Sequence, residues 1–218
     1  MKRAKLFLVA ALAVSALVAL LSPAVASSAP RMYVGFHDDV AFRWNENRAD
    51  VLDQARGANA TIVRTLVDWS KTAPTRPANP TSSFDPAYRF DDVDELVRNA
   101  QARGLEVLIT IWGTPKWANG GKTPNVVPKN ARDLQNFARA IASRYSGRFQ
   151  QYPSVGRYSI WNESNLQLFL SPQFDAKGRS VGPRHYARMY AAAYAGLKAG
   201  NARAKVAIGS TSSHGRDK

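Results

Sequence analysis

Residues 106–112, EVLITIW, form a nearly continuous apolar run. A strand with one solvated face would alternate apolar and polar residues, whereas an unbroken run is typical of a strand buried on both faces. Gly104 ends the helical pattern that precedes the run. We therefore predict that residues 106–112 form a buried strand of a parallel sheet.

Helix-like and strand-like segments alternate on both sides of this run. The helical segments carry apolar residues at spacings of three and four, and the strand-like segments are rich in β-branched residues. The predicted strands cover residues 32–36, 61–67, 106–112, 156–161 and 205–209, and the predicted helices cover 47–56, 91–103, 131–145 and 183–199. This alternation predicts an α/β fold with parallel strands and crossover helices.

Two parallel architectures fit this order. A doubly wound nucleotide-binding sheet would carry a Gly-rich phosphate turn after its first strand, but Gly35 is followed by Phe-His-Asp-Asp. A (β/α)8 TIM barrel places its working residues at the carboxyl ends of several strands. Polar and aromatic residues collect at these ends, over residues 36–39, 68–69, 112–117 and 162–165. We predict a (β/α)8 barrel, of which the pattern covers about five strands.

The predicted fourth strand leads directly into Asn162 and Glu163. A carboxyl group beside an amide at a strand end suits cleavage of a glycosidic bond. Trp-Asn-Glu also occurs at residues 44–46, where no strand comes directly before it. The position after a strand therefore carries more information than the tripeptide itself.

Three motifs fall at matching places in this pattern: Val63-Arg64 in the second strand, GTPKW at 113–117 after the third, and Trp-Asn-Glu at 161–163 after the fourth. Together they resemble the amino-terminal part of a clan A glycoside hydrolase, a group that includes cellulase-like and β-xylosidase-like families. The resemblance implies hydrolysis of O-glycosidic bonds in a poly- or oligosaccharide, with Glu163 as general acid/base. Ser164 stands where these families often have proline.

The chemistry of a retaining glycosidase gives each polar residue a role. A protonated carboxylic acid, here Glu163, donates to the leaving oxygen, and an ionised carboxylate roughly 5 Å away attacks the anomeric carbon. The amide of Asn162 would donate to the sugar 2-hydroxyl. Arg64, within an apolar strand, requires a buried acceptor, which is either the nucleophile or a structural carboxylate.

The aromatic residues at the strand ends have two interpretations each. Trp69, Trp112 and Trp117 would stack on sugar rings, or they would pack in the core. His37 and Asp38 would contact a terminal sugar, or Asp38 would cap a turn. We expect no cofactor and no metal, because His185 and His214 lack metal-ligand spacing.

The nucleophile of the resembled clan is a glutamate at the end of the seventh strand. Removing 26 residues from 218 leaves 192, whereas a complete barrel needs about 250. Asp68 and Asp217 are the remaining candidates, because Glu106 begins its strand and would lie at the opposite end. We therefore expect a barrel truncated after about its fifth strand, without its nucleophile, and negligible hydrolysis by the 218-residue chain alone.

The first 26 residues combine the parts of an export signal. These are a basic start with Lys2, Arg3 and Lys5, an apolar run over 6–21, and the small-x-small motif Ala-Val-Ala at 24–26. The run is shorter than the roughly 20 residues that span a bilayer, which disfavours an uncleaved anchor. We predict a signal peptide over 1–26, cleaved after Ala26, and a secreted or extracytoplasmic barrel domain over 27–218 without stable membrane insertion.

Composition narrows the function classes. The chain has no cysteine, so an exported domain of this kind must depend on a large hydrophobic core. The formal net charge is +14, or +11 without the three basic signal residues, yet the basic residues form no long run and no nucleic-acid module. We expect a carbohydrate substrate and no nucleic acid. The alternatives to an enzyme are a non-catalytic carbohydrate-binding or cell-surface module and a basic polyanion binder.

Overall fold

Five parallel strands form one sheet in the order in which they occur in the sequence. In a computed structural model of the chain, residues 32–214 are described, so the predicted signal peptide and Asp217 lie outside this part. The strands are β1 (Gly35–His37), β2 (Ile62–Asp68), β3 (Glu106–Trp112), β4 (Arg157–Ile160) and β5 (Lys205–Ile208). All four neighbouring pairs are parallel, which confirms the prediction from the alternating pattern.

A long helix follows each of the first four strands. The helices are α1 (Arg48–Gly57), α2 (Trp69–Thr72), α3 (Asp91–Ala102), α4 (Lys116–Asn119), α5 (Ala131–Arg144) and α6 (Gly182–Gly200), and a π-helical turn covers Val40–Trp44. A doubly wound sheet reverses its strand order at a switch point, whereas this order is sequential. Sequential right-handed crossovers place the helices on one face, as in a (β/α)8 barrel. Between residues 32 and 214, no helix is long and apolar enough to cross a membrane.

The two faces of the sheet differ in burial. Val63, Thr65 and Val67 of β2 are buried, whereas Arg64 and Leu66, which point to the other face, are only partly buried. In β3 the predicted burial on both faces is incomplete, because Leu108 and Trp112 keep some exposure and Glu106 is exposed. The helix-covered face thus holds the core, and the concave face carries the polar residues.

The first strand begins later than predicted. The expected strand over 32–36 is observed as Gly35–His37. The main-chain N–H of Val34 donates to Oγ1 of Thr61 (3.0 Å) instead of to a main-chain carbonyl of β2. The regular ladder consequently starts at the Gly35–Ile62 pair. A Cβ on Gly35 would lie 1.7 Å from the carbonyl oxygen of Ile62, so only glycine permits this close approach.

A buried ion pair joins two helices behind the sheet. Arg144 of α5 donates from Nε to Oδ1 of Asp94 in α3 (2.8 Å) and from Nη2 to Oδ2 (2.5 Å), and both residues are buried. The hydroxyl of Tyr145 donates to Oδ1 of Asp94 (2.7 Å). Nη1 of Arg144 donates to the carbonyl oxygen of Ser83 (3.2 Å). Ser83 belongs to the loop over residues 73–90 between α2 and α3, which we call the proline-rich loop, so this contact joins the loop to the helices.

Loss of the Asp94 charge should destabilise the protein strongly. Asp94→Asn keeps the shape but leaves the Arg144 guanidinium buried without a counter-charge, so we expect the free energy of unfolding to fall by about 3 kcal/mol or more. Urea denaturation of the full chain measures this change. The matched control is Asp53→Asn, which removes an exposed partner of Arg103 and should leave the midpoint nearly unchanged. Equal midpoints for the two variants would contradict the assignment.

Candidate active site

The chain takes an unusual backbone conformation directly after β4. Trp161 has a φ of 69° and Glu163 a φ of 37°, so both lie in the left-handed region that side chains rarely adopt. This conformation costs roughly 1–2 kcal/mol per residue. It also explains why β4 ends at Ile160 and not at Trp161 as predicted, since a positive φ cannot continue a strand.

A buried indole holds this turn in place. The side chain of Trp161 is fully buried, and its Nε1 donates to the carbonyl oxygen of Phe169 (2.7 Å). Its main-chain N–H donates to the carbonyl oxygen of Ile111 at the end of β3 (2.7 Å). Strained residues persist where the surrounding contacts over-determine the conformation, and these contacts do so here.

Arg64 determines how the amide of Asn162 is oriented. Nη2 of Arg64 donates to Oδ1 of Asn162 (2.6 Å), and Nε donates to Oγ1 of Thr110 (2.9 Å). A guanidinium can only donate, so the amide oxygen must face Arg64 and the NH2 group must face away. Among residues 32–214 this NH2 group makes no hydrogen bond, so Asn162 presents an unused donor beside Glu163.

Arg64 also lies in the field of two carboxylates. Burial is the largest influence on the pKa of Arg64 and lowers it below its ordinary value, whereas the charges of Asp39 and Glu163 act in the opposite direction. The structure therefore brings together Arg64, Asn162 and Glu163, three residues selected from the sequence, at the carboxyl end of the sheet.

Glu163 differs from the other carboxylates at the strand ends. Its carboxyl group is partly exposed. Within the described part of the chain, this group forms neither a hydrogen bond nor an ion pair. The other three are held by main-chain N–H groups: Asp38 by that of Ala41 (3.0 Å), Asp39 by that of Leu66 (2.9 Å) and Asp68 by that of Ser70 (2.9 Å). Of these four strand-end carboxyl groups, Glu163 is the one without a hydrogen bond from the described part of the chain.

Asp39 is a site residue that the sequence did not single out. Burial raises the pKa of its carboxyl, but the nearby His37, hydrogen bonds from Thr65 and the main chain of Leu66, and the charge of Arg43 together outweigh burial and lower the pKa below its ordinary value. Asp39 is therefore ionised at neutral pH. Nε2 of His37 lies 3.6 Å from its Oδ2, which is beyond hydrogen-bond distance. The only signal in the sequence was its place among the polar residues after β1.

A groove of about 600 Å³ opens at the carboxyl ends of β1 to β3. His37 and Trp112, both predicted site residues, line it. Trp44, which belongs to the second Trp-Asn-Glu tripeptide, lines it too and is 54% exposed. Nζ of Lys71 lies 5.9 Å from the centre of the Trp44 ring. The groove therefore has two aromatic residues, of which sequence analysis identified one.

The other two tryptophans that were predicted to stack on sugar rings, Trp69 and Trp117, do not line this groove. Trp69 is fully buried, stacked on Phe137 (5.7 Å between ring centres) and edge-on to Trp117 (5.6 Å). This side chain belongs to the core because it follows Asp68 and so falls on the helix-covered side. The indole of Trp117 donates to the carbonyl oxygen of Ala73 (2.8 Å), and the guanidinium of Arg76 lies 4.4 Å from its ring centre. These contacts join it to residues of the loop between α2 and α3, and its predicted contact with sugar stays a prediction.

Gly113 and Glu106 lie at opposite ends of β3. Gly113 has a φ of 81°, and a Cβ there would lie 2.4 Å from Oδ1 of Asp68, so the GTPKW turn requires glycine. Glu106 lies at the amino end of the sheet, as predicted, where its Oε2 accepts from Nε of Arg157 (2.8 Å). Residues 32–214 contain no group of three or more His, Asp or Glu side chains that could hold a metal ion.

The strain at Glu163 can be measured by comparing glycine with alanine. Glu163→Gly and Glu163→Ala both remove the carboxyl group, but only glycine adopts a positive φ without cost. We expect the glycine variant to be more stable by about 1 kcal/mol in urea denaturation. Gln167, an exposed residue of the same loop without a positive φ, is the control, and there glycine should not be the more stable variant. A similar difference at both positions would contradict the strain.

Solved structures with a similar fold include a glucosidase from Croceicoccus marinus (TM-score 0.57, 20% identity, 74% of this chain and 33% of that chain). An endoglucanase, Cel5A, from Thermotoga maritima is similar as well (TM-score 0.52, 19% identity, 81% of this chain and 51% of that chain). At this identity the similarity concerns the fold alone. The chain spans about a third to a half of the length of these relatives. A search of curated protein sequences found no match.

A match to a sequence-family model identifies the family of this chain. A family model described as Cellulase (glycosyl hydrolase family 5) matches residues 30–168, which include β1 to β4 and the turn with Asn162 and Glu163. This match covers more than half of the chain. Together with the sequential parallel sheet, it shows that the chain belongs to glycosyl hydrolase family 5.

Proposed function

We propose that this protein is a retaining O-glycosyl hydrolase that acts on a poly- or oligosaccharide, with Glu163 as its general acid/base. The observation that carries the proposal is the available carboxyl group of Glu163 beside the oriented NH2 group of Asn162. A sugar bound across the strand ends would meet a proton donor and an amide donor side by side. Membership of the family supports this choice over a non-catalytic binding module.

In the proposed first step, the carboxyl group of Glu163 gives its proton to the glycosidic oxygen while a second carboxylate attacks the anomeric carbon. The glycosidic C–O bond breaks and a glycosyl ester forms. In the second step, ionised Glu163 takes a proton from water, whose oxygen attacks the anomeric carbon, so that the bond to the ester oxygen breaks and the sugar and the second carboxylate are freed. The NH2 group of Asn162 donates to the 2-hydroxyl, a contact that strengthens as positive charge develops on the ring.

The nucleophile, we propose, comes from outside the five described strands. Both oxygens of Asp39 accept hydrogen bonds from β2, and one oxygen of Asp68 accepts two from Ser70 in α2. An attacking carboxylate would have to give up these contacts. Asp217 remains a candidate from the sequence alone.

The groove beside β1 to β3 supports a substrate with several sugar units. The exposed Trp44 and the partly exposed Trp112 offer flat apolar surfaces of the kind that pack against sugar rings. His37, which lies beside Asp39, adds a polar contact. We assign these three residues to substrate binding and leave Trp69 in the core.

Chemical rescue tests the role of Glu163. Without a nucleophile from the described strands, the full chain should hydrolyse phenyl glycosides at a negligible rate, and added formate should raise the rate by attacking the anomeric carbon. Glu163→Gln should lower this formate-dependent rate by about 10²-fold, because the poor phenolate leaving group needs the proton that the acid supplies. Release of phenol across a panel of phenyl glucosides, mannosides and xylosides gives the measurement.

The second tripeptide provides a matched control. Glu46→Gln makes the same change in an exposed Trp-Asn-Glu and should leave the formate-dependent rate unchanged. Equal rates for the two variants would contradict the assignment of Glu163. Substantial turnover without formate that is lost on Glu163→Gln would support Glu163, and would place a nucleophile within the 218 residues. Oligosaccharide binding without any turnover would favour a carbohydrate-binding module.

Export is a further part of the proposal. Its support is the sequence of the first 26 residues, with a basic start, an apolar run and a small-x-small motif. A substrate polymer outside the cell would be accessible only to an exported enzyme.

The predicted cleavage site can be read directly. We expect the protein recovered from the culture medium or periplasm of an expressing bacterium to begin at Ser27, as measured by amino-terminal sequencing. Ala26→Asp should block cleavage, because the peptidase requires a small residue there. Recovery of the intact amino terminus from the cytoplasm would contradict export.

A further inference from the structure

Three arginines and a histidine line a groove at the start of α6. The groove has a volume of about 440 Å³, and we call these four residues the α6 basic rim: Arg179, Arg184, His185 and Arg188. Asp175 is the one acidic residue in the lining, and its Oδ2 lies 2.7 Å from a guanidinium nitrogen of Arg179. Within residues 32–214, Arg184 and Arg188 have no ion-pair partner.

The internal electrostatics of α6 do not favour this arrangement. Arg184 and Arg188 are four residues apart on one helix, so their charges repel each other. Both lie in the first two turns, which carry no acidic residue, and cations near a helix start face the positive end of its dipole. The pKa of His185 lies below its ordinary value, first because of burial and then because of the charges of Arg188 and Arg184. The cluster is thus a region of positive potential that folding does not require.

The rim lies at the carboxyl end of the strands, as Glu163 does. The loop after β4 runs from Glu163 to α6, and helices of this fold start at the carboxyl end of the strands. Nε2 of Gln173 donates to the carbonyl oxygen of Ser164 (2.9 Å), and the N–H of Val181 donates to the carbonyl oxygen of Gln173 (2.8 Å). The rim is therefore tied to the residue next to Glu163 by two hydrogen bonds.

We infer that the α6 basic rim binds the acidic groups of an anionic polysaccharide whose chain extends beyond the site at Glu163. The inference rests on the proposed function for the choice of a polysaccharide. Guanidinium groups form charge-assisted hydrogen bonds with carboxylate, sulfate and phosphate oxygens, so any of these groups fits the chemistry of the rim. A polymer with acidic groups along its length would engage several of the arginines at once, which raises its affinity above that of a single anion.

Binding by charge-neutral variants of the full chain tests the inference. The probes are fluorescein-labelled polygalacturonate, which carries carboxylates, and dextran sulfate, with neutral dextran as the uncharged polymer. We expect Arg184→Gln/Arg188→Gln to weaken binding of an anionic probe by at least about tenfold at 50 mM salt, and to reduce its salt dependence. Fluorescence anisotropy measures both quantities, and the preferred probe identifies the anion.

Two matched variants separate the rim from overall charge. Arg132→Gln/Arg139→Gln removes two exposed arginines of α5 that have no ion-pair partner between residues 32 and 214, and should weaken binding by less than about threefold. Arg184→Lys/Arg188→Lys keeps the charges and should retain most of the binding. This variant still tests the inference if the glutamine variant does not fold.

Several results would overturn the inference. One such result is an equal loss of binding affinity in the two double glutamine variants. Others are a failure of both anionic probes to bind, and binding of neutral dextran as tight as that of the anionic probes. Tighter binding of a DNA duplex than of either anionic polysaccharide would also overturn it. Loss of binding in the lysine pair would overturn it too. The assay needs no turnover, so failure of the rim and failure of Glu163 in the rescue experiment are separate outcomes.

Discussion

The hydrogen bond from Arg64 to Asn162 joins β2 to the turn after β4, 98 residues further along the chain. A guanidinium on the concave face of the sheet must find acceptors, because an unpaired buried charge is costly. Thr110 on β3 and Asn162 supply them, so one side chain spans three neighbouring strands. The orientation of the Asn162 amide, and with it the donor beside Glu163, depends on this contact.

The turn with Glu163 shows how the core supports the site. Two residues with positive φ flank Asn162, and their strain is of the order of a few kcal/mol together. The fully buried indole of Trp161, hydrogen-bonded to the carbonyl of Phe169, provides the packing that maintains them. The carboxyl group of Glu163 is left without a protein partner, whereas the neighbouring strand-end carboxylates serve local structure. In this short segment Trp161 therefore serves stability, whereas Glu163 is left for the proposed chemistry.

Charge is distributed unequally over the described residues. The buried pair of Asp94 and Arg144 ties the loop after α2 to the helix layer and is balanced within the protein. Arg184 and Arg188 at the start of α6 have no such partner between residues 32 and 214, and they line an open groove. The net charge of +14 is therefore not spread evenly over the surface. Part of it is concentrated near the carboxyl end of the strands, where Glu163 also lies.

The sequence by itself determined the class of fold and the position of Asn162 and Glu163 after a strand. The apolar run 106–112 and the alternating segments were sufficient for a parallel sheet, because hydrophobic periodicity depends on local geometry. The places of Asn162 and Glu163 after a strand were sufficient to put them at its carboxyl end. Only the tertiary structure decided that Trp69 is buried while Trp44 lines the groove, that Asp39 is held next to His37, and that Trp161 and Glu163 are strained. These properties depend on register and packing between residues far apart in the chain, and no local pattern encodes them.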